Sequence, residues 1–163
     1  MTQAKTFDET ALLATGDVVL VLWKGAARAH RTRWLFEQIE GTVAAHPQGI
    51  LVLQQVLPTS NPPDGPARDE NHLRIRKLGS SLRRLVTVPL GDALWMSLVR
   101  TIMRALAVVS GQAKSHFVAD TEAEGIDLLL KAASPSTPSR RDLVAGLDEL
   151  YRALGVPRVA VPA

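Results

Sequence analysis

The chain has 163 residues, of which 46% are hydrophobic and 21% charged, and its formal net charge is +3. These values are typical of one folded globular domain, and they exclude an intrinsically disordered chain, which has less apolar content and more net charge. Because the sequence contains no cysteine, it cannot form a disulfide framework, a thiolate nucleophile or a cysteine-ligated metal centre.

The first predicted elements are two strands that form a hairpin. Residues 18–23 read VVLVLW, a continuous apolar run that is typical of a strand buried on both faces. Residues 7–13 predict a weaker strand, and Gly16 with Asp17 suits the turn between the two. An antiparallel edge strand of this kind is common on a sheet that is otherwise parallel.

A helix, a strand and a loop follow. Residues 30–45 predict a helix because their apolar side chains recur on one face, and Pro47 and Gly49 end it. Residues 50–56 predict a second buried strand. Residues 58–69 are rich in proline and predict a loop rather than a helix.

The next segment continues the alternation with a basic amphipathic helix over residues 70–85 and a third strand over residues 86–88. The apolar residues at helical spacing in this basic helix are Ile75, Leu78, Leu82 and Leu85. Asp92 suits the N-cap of the next helix, which is longer. The apolar residues expected on the buried face of that longer helix are Leu94, Trp95, Leu98, Val99, Ile102, Met103 and Leu106.

The alternation ends with a fourth strand over residues 116–119 and one more helix. Thr121 and Glu124 have the spacing of a capping box, which predicts the start of a helix that runs to Ala132. From residue 18 onward, strands and helices therefore alternate. This order predicts an α/β domain over residues 1–133, with helices packed on a small mixed sheet of four to five mostly parallel strands.

The C-terminal part adds a short linker over residues 134–138 and an amphipathic helix over residues 139–155, followed by a tail over residues 156–163. Ser139 and Asp142 are expected to cap this extra helix. Its apolar stripe from Leu143 to Leu154 must be covered. It docks either on its own domain or on another chain, and the second alternative would give a homo-oligomer.

Neither a targeting segment nor a membrane span is expected. The first residues contain no apolar run followed by a small-residue cleavage site, as a signal peptide would. The most apolar segment, residues 93–109, is interrupted by Arg100 and Arg104 and falls short of the roughly 18–20 apolar residues of a membrane span. We therefore expect a cytoplasmic protein.

Residue patterns that carry catalysis are missing from the sequence. The histidines have neither HxxH nor HExxH spacing, and there is no GxSxG elbow, phosphate-binding loop or GxGxxG motif. Asp64, Asp69 and Glu70 cluster only in the proline-rich loop, where solvated charges are the simple explanation. We therefore predict no enzyme, no catalytic residue, no metal and no cofactor.

One edge of the predicted sheet is a candidate binding site, because ligands of open α/β sheets lie outside the carboxyl ends of the strands. Lys24, Arg28 and Asp92 are expected there, and the two cations could hold an anionic ligand or a nucleotide beside a helix N-terminus. The alternative is an ordinary solvated loop. Thr59 and Ser60 are expected at the same edge, where either could accept a phosphate.

A run of basic residues is the second candidate site. Its members are Arg74, Arg76, Lys77, Arg83 and Arg84. They are expected mainly on the solvent face of one helix, with few aromatic residues between them for base stacking, so nucleic acid is not the expected partner. The remaining alternatives are a solvated face, which the pattern favours, and a surface that binds an acidic protein. For a protein partner, we predict that this run carries the contact together with the carboxyl edge of the sheet.

The strand–helix order, the weak first strand and the Thr121-Glu122-Ala123-Glu124 capping segment resemble the STAS domain, a module of anti-sigma-factor antagonists and sulfate transporters. The resemblance covers about residues 5–133. It implies a bacterial regulatory or scaffolding module that acts through protein–protein contact. The alternative hypothesis is a sensor of a small anionic molecule.

The resemblance also implies a place for a phosphorylation switch. In that family the phosphorylated Ser or Thr follows the strand that residues 50–56 match here, within a motif similar to Asp-Ser/Thr-Ser-Gly. This chain reads Leu57-Pro58-Thr59-Ser60-Asn61-Pro62 at that place and lacks the Asp and the Gly. Thr59 and Ser60 are thus the positions implied for phosphorylation, without the rest of the motif.

Overall fold

Six strands form a single mixed sheet in the computed structural model of the chain, which describes residues 3–158. The strands are β1 (Lys5–Phe7), β2 (Thr10–Thr15), β3 (Val18–Trp23), β4 (Ile50–Val56), β5 (Leu82–Pro89) and β6 (His116–Val118). They lie side by side in chain order, with β1, β2 and β3 antiparallel and β3 to β6 parallel. The predicted mostly parallel sheet is confirmed, but a turn at Asp8, whose φ is 51°, adds a strand to the expected four to five.

Five helices within residues 3–158 cover the two faces of the sheet. They are α1 (Ala29–Ala45), α2 (Gly65–Leu78), α3 (Ala93–Val109), α4 (Glu122–Leu130) and α5 (Arg140–Ala153). The first three are the crossovers between parallel strands and lie on one face, while α4 and α5 lie on the other. None of the helices in this part of the chain is long and apolar enough to cross a membrane.

The central strand β3 is buried on both faces, as its sequence predicts. Val19 and Val21 pack toward α1 and α2, whereas Leu20 and Leu22 pack toward α4 and α5. All four side chains are fully buried. The alternation of side chains along a strand explains why a continuous apolar run is needed here.

Helix α2 begins and ends earlier than the sequence predicts. Asp64 caps it by accepting a hydrogen bond from the Ala67 backbone N–H at 2.9 Å, and Pro66 lies in the first turn, where a missing N–H costs nothing. The chain leaves the helix at Gly79, whose φ is 52°, so Leu82 belongs to β5. The predicted end of this helix at residue 85 was wrong because the same core is lined from two elements, by Ile75 and Leu78 on α2 and by Leu82 and Leu85 on β5.

Helix α3 starts where the sequence predicts, because the Asp92 carboxylate accepts a hydrogen bond from the Trp95 backbone N–H at 2.8 Å. Two residues expected on its buried face do not lie there. Leu94 is 81% exposed and Leu98 is 42% exposed, whereas Val99 packs inward. The prediction was wrong because apolar residues extend around more of this helix than one face can bury.

The capping box predicted at Thr121 is shifted by one residue. The Thr121 hydroxyl accepts a hydrogen bond from the Glu124 backbone N–H at 3.1 Å, but the Glu124 carboxylate accepts from the backbone N–H of Asp120 at 2.8 Å. The helix that follows, α4, ends at Leu130 rather than at Ala132.

Helix α5 packs on its own chain. Ser139 and Asp142 form the predicted cap, as a capping box, and Leu143, Leu147 and Leu150 are fully buried against β2, β3 and α4. A Cβ placed on Gly146 would lie 2.6 Å from a methyl carbon of Leu20, so the helix lies close against the sheet. The structure thus has the first of the two alternatives, docking within the chain. The buried leucines of the stripe are not available for the oligomer contact that the second alternative placed at Leu143–Leu154.

The linker before α5 is tied to the β2–β3 turn by one buried carboxylate. Asp17 is 2% exposed, and its Oδ2 atom accepts hydrogen bonds from the hydroxyls of Ser134 at 2.6 Å and Thr137 at 3.0 Å. The guanidinium of Arg83 on β5 pairs with the same carboxylate. The tail predicted over residues 156–163 is described only as far as Arg158, which pairs with Glu122 and Asp148; residues 159–163 lie outside the described part.

Candidate functional site

The carboxyl ends of β3, β4 and β5 meet at one edge of the sheet, as the sequence predicts. Trp23 is in register with Val56, and Val56 with Pro89. The loops that follow are hydrogen-bonded to this edge. The backbone N–H of Leu57 donates to the backbone oxygen of Trp23, and that of Leu90 donates to the backbone oxygen of Val56, both at 2.9 Å. Residues 24–28, 57–64 and 90–92 therefore start from one edge.

The two hydroxyl residues at this edge have different exposure. Ser60 is 4% exposed, and its hydroxyl donates to the backbone oxygen of Gly25 at 2.7 Å. Thr59 is exposed, and its hydroxyl donates to the backbone oxygen of Lys24 at 2.7 Å. Both residues hold the β4–α2 loop against the loop after β3. Of the two phosphorylation positions implied by the sequence, Thr59 is the one at the surface.

The residues of the predicted anion site lie at this edge, but two of them already have partners. Arg28 forms an exposed ion pair with Asp64 at 2.9 Å, and Asp92 caps α3. The pKa of Asp64 is lowered by the hydrogen bond from the Ala67 backbone N–H and by Arg28. Lys24 is half-buried beside them. An incoming anion would compete with the Asp64 carboxylate for Arg28. The anion site stays a prediction.

The five basic residues do not form one surface. Arg74 is held between α1 and α2, where it pairs with Glu40 at 3.1 Å and Glu70 at 3.0 Å, and Lys77 also pairs with Glu40 at 3.2 Å. Arg76 is exposed and has no ion-pair partner within residues 3–158. Of the three that lie on α2, Arg76 is therefore the cation best placed to meet another molecule.

The other two basic residues lie on β5, on the α4 side of the sheet, and not on a helix. Arg83 pairs with Asp17 and donates to the backbone oxygen of Ala132 at 2.9 Å. Arg84 donates to the backbone oxygen of Leu128, and its guanidinium lies 4.5 Å from the centre of the Phe117 ring. Because α2 ends at Leu78, both guanidinium groups bind within the chain, and their expected place on a solvent face is wrong.

Helix α3 presents a surface that was not predicted from the sequence. Its exposed residues recur at intervals of three or four and make a row along the helix, named here the exposed row: Leu94, Leu98, Thr101, Ala105, Val108 and Val109. Arg104 lies beside this row, is exposed, and has no ion-pair partner among the described residues. The signal in the sequence is that apolar residues occupy about three quarters of the helix circumference, more than one buried face needs.

His116 is a titratable group on the edge strand β6. Both ring nitrogens are buried and lack a hydrogen-bond partner in the described part of the chain. Burial disfavours the charged imidazolium and lowers the pKa of His116 from 6.5 to about 4. The native state thus stays neutral at pH values where the unfolded chain already binds a proton.

This difference makes the stability of the fold depend on pH between about 6.5 and 4. As pH falls through this window, the unfolded state binds a proton at His116 that the native state does not bind. The free energy of unfolding therefore falls. Allowing for the partial exposure of the ring, we expect a loss of about 1 to 2 kcal/mol from pH 7 to pH 5. Urea unfolding of His116→Leu should show a smaller loss over the same pH interval. Equal pH dependence in wild type and His116→Leu would refute this assignment.

No family model and no curated protein matches the chain. Among solved structures, it is similar to an uncharacterized protein of the DUF3478 family with a SpoIIAA-like fold from Shewanella loihica PV-4, at 11% identity and a TM-score of 0.54, covering 79% of this chain and 92% of that one. It also matches the anti-sigma factor antagonist SpoIIAA in its unphosphorylated form, at 15% identity and a TM-score of 0.48, covering 82% and 100%.

The first of these likenesses shows the fold. The chain has a SpoIIAA-like α/β fold, which confirms the fold expected from the resemblance to STAS domains. The described residues contain no group of three or more histidine, cysteine, aspartate or glutamate side chains placed to hold a metal ion.

Proposed function

We propose that this chain is a non-enzymatic regulatory module of the bacterial cytoplasm that acts by binding another protein, with the exposed row of α3 as the centre of the contact. The observation that carries the proposal is the exposure of Leu94, Leu98, Val108 and Val109 on a helix whose opposite face packs on the sheet. Contiguous exposed apolar surface of this kind marks interaction sites in soluble domains.

The spacing of the row suits a helical partner. Leu94, Leu98, Thr101, Ala105 and Val108 follow one another at intervals of four and three residues, which is the pattern by which amphipathic helices pack along each other. Covering one exposed leucine contributes roughly 1.5 to 3 kcal/mol to binding before the costs of association. Two leucines near one end of the helix can therefore dominate the contact.

The charges beside the row favour an acidic partner. Arg104 flanks it on α3, and Arg76 lies on the neighbouring helix α2; both are exposed and without an ion-pair partner within residues 3–158. Lys77 is exposed beside Arg76 although it reaches Glu40. We include Arg76 in the proposed contact and leave out Lys77, because its ammonium group pairs with Glu40 on α1. We leave out Arg74, Arg83 and Arg84, whose guanidinium groups are held within the chain.

The test is affinity capture from the native host with wild type and with a Leu94→Ser, Leu98→Ser double variant. Both leucines are exposed, so their loss should change the free energy of unfolding by less than about 1 kcal/mol. We expect the double variant to lose at least 90% of the partner that wild type retains, because the apolar centre of the contact is gone.

The control is Arg141→Ser, which changes an exposed side chain of α5, on the other face of the sheet. This variant should retain most of the partner. If the double variant captures the same protein as wild type and at the same yield, the exposed row is not the contact surface. Arg76→Glu should weaken capture less than the double variant does, since a charge at the rim contributes less than the apolar centre.

A further inference from the structure

A large apolar cavity lies between the sheet and helices α1, α2 and α3. Its volume is about 620 Å³. Val52 and Val56 on β4 and Leu85 on β5 are among its sheet-side residues, and Val99 and Ile102 line it from α3. Cavities of roughly 300 to 1,000 Å³ with mostly apolar walls are the usual sites of small ligands. Protein interiors are normally close-packed, so an unfilled apolar space of this size is a candidate binding site.

Polar residues from α2 also line the cavity. Arg68 and His72 lie one turn apart on α2 and both line it, together with Asp69. Arg68 is exposed and forms no ion pair within residues 3–158. The site therefore combines an apolar interior with a cation on the α2 side, although it also contains the carboxylate of Asp69.

Two of the lining residues carry buried polar atoms without partners. The indole Nε1 of Trp95 and the Nδ1 atom of His72 form no hydrogen bond within the described residues. Buried polar atoms are normally hydrogen-bonded, and each one left alone costs stability. An oxygen atom supplied by a bound molecule would remove that cost.

From this arrangement we propose that the cavity binds a small amphiphile as a free monomer, with its apolar chain between α3 and the sheet and a carboxylate or similar anionic head near Arg68 and His72. Burial of the ligand's apolar chain supplies the binding free energy, and the guanidinium of Arg68 supplies the preference for an anionic head.

The cavity reaches the loop after β3 at Ala27, but Lys24, Arg28 and Asp92, where the sequence predicts an anion, do not line it. It shares Thr101, Ala105 and Val109 with the exposed row, whereas Leu94, Leu98 and Val108 do not line it. The two proposals can therefore be tested separately through Leu94 and Leu98.

The test uses 12-bromododecanoate, held below its micelle concentration, as a quencher of tryptophan fluorescence in the full chain. Trp23 and Trp95 line the cavity, so bound bromoalkyl chain should quench their emission. We expect saturable quenching with one molecule bound per chain. Absence of saturable quenching would overturn the proposal, as would binding that begins only when micelles form.

Two variants fill the cavity from different positions on α3, Ile102→Trp and Val99→Phe. Each should weaken binding of the probe at least 10-fold while circular dichroism shows a folded chain. Since an enlarged side chain can prevent folding, the variant that stays folded decides the result. Wild-type affinity in a folded filling variant would exclude the cavity as the site.

The head-group assignment is tested with Arg68→Ala, at an exposed position that is safe for folding. The substitution should weaken 12-bromododecanoate about 10-fold and leave the uncharged 12-bromododecanol unchanged. An equal effect on the two probes, or no effect on either, would show that Arg68 does not hold the head group. Failure of probe binding would leave the capture results for Leu94 and Leu98 unaffected, so the two proposals fail separately.

Discussion

Replacing Asp17 by Ala should lower the free energy of unfolding by about 2 to 4 kcal/mol, one of the largest losses expected for a single substitution in this chain. The Oδ2 atom of Asp17 is the common acceptor for Ser134, Thr137 and Arg83. Without it, the half-buried guanidinium of Arg83 loses its counter-charge and two hydroxyls lose an acceptor. The β2–β3 turn, the start of β5 and the α4–α5 linker would then no longer be tied together.

Acid should produce part of the same loss. Burial opposes the charge of Asp17, but the hydrogen bonds from Ser134 and Thr137 and the charge of Arg83 outweigh it and lower the pKa of Asp17 below 3.8. A lowered carboxyl pKa stabilises the fold above the unfolded value, and this stabilisation is lost as pH falls through the folded pKa. Urea unfolding of wild type should therefore weaken below about pH 4, and Asp17→Ala should weaken less over the same interval.

The matched control for Asp17 is Asp120→Ala, which removes a carboxylate from an exposed ion pair with Arg100. That substitution should cost less than about 1 kcal/mol, because solvent screens the pair. Similar costs for the two variants at pH 7 would show that the Asp17 cluster does not hold the linker.

Leu147→Ala should destabilise the chain by about 2 to 5 kcal/mol, measured by urea unfolding. Leu147 is fully buried in the middle of α5, next to Gly146, where the helix lies closest to Leu20. Removing its side chain leaves a cavity that this tight contact cannot close.

The control on the same helix is Arg141→Ala, at an exposed position, which should change stability by less than about 0.5 kcal/mol. A cost below about 1 kcal/mol for Leu147→Ala would mean that α5 is not a firmly packed layer of the fold.

Local sequence signals predicted the elements whose causes are local. The apolar run of β3, the cap of α3 at Asp92 and the capping box of α5 at Ser139 each depend on a few neighbouring residues, and the structure has them where they were expected. The alternation of strands and helices then limits the topology, because parallel strands need crossovers of one hand.

Features that depend on distant residues could not be predicted. Asp17 and its partners Ser134 and Thr137 are more than a hundred residues apart, and nothing in the sequence links them. The end of α2 was missed because Leu82 and Leu85 continue the apolar spacing of a helix from within a strand. That continuation also placed Arg83 and Arg84 on a solvent face, when they lie against α4.

The candidate contact surface was missed for a related reason. Periodicity shows which residues of a helix are apolar, but not how much of that surface the rest of the chain can cover. Only the packing of α3 over the sheet shows that Leu94 and Leu98 stay outside while Val99 lies inside.

The most direct test of the proposed function is site-specific photo-cross-linking in the native host, with a photoreactive residue in place of Leu98 on α3 or Arg141 on α5. These exposed positions lie on opposite faces of the sheet. We expect a cross-link from position 98 to one defined protein and none to that protein from position 141. The same product from both positions, or a product from position 141 alone, would contradict the proposed function.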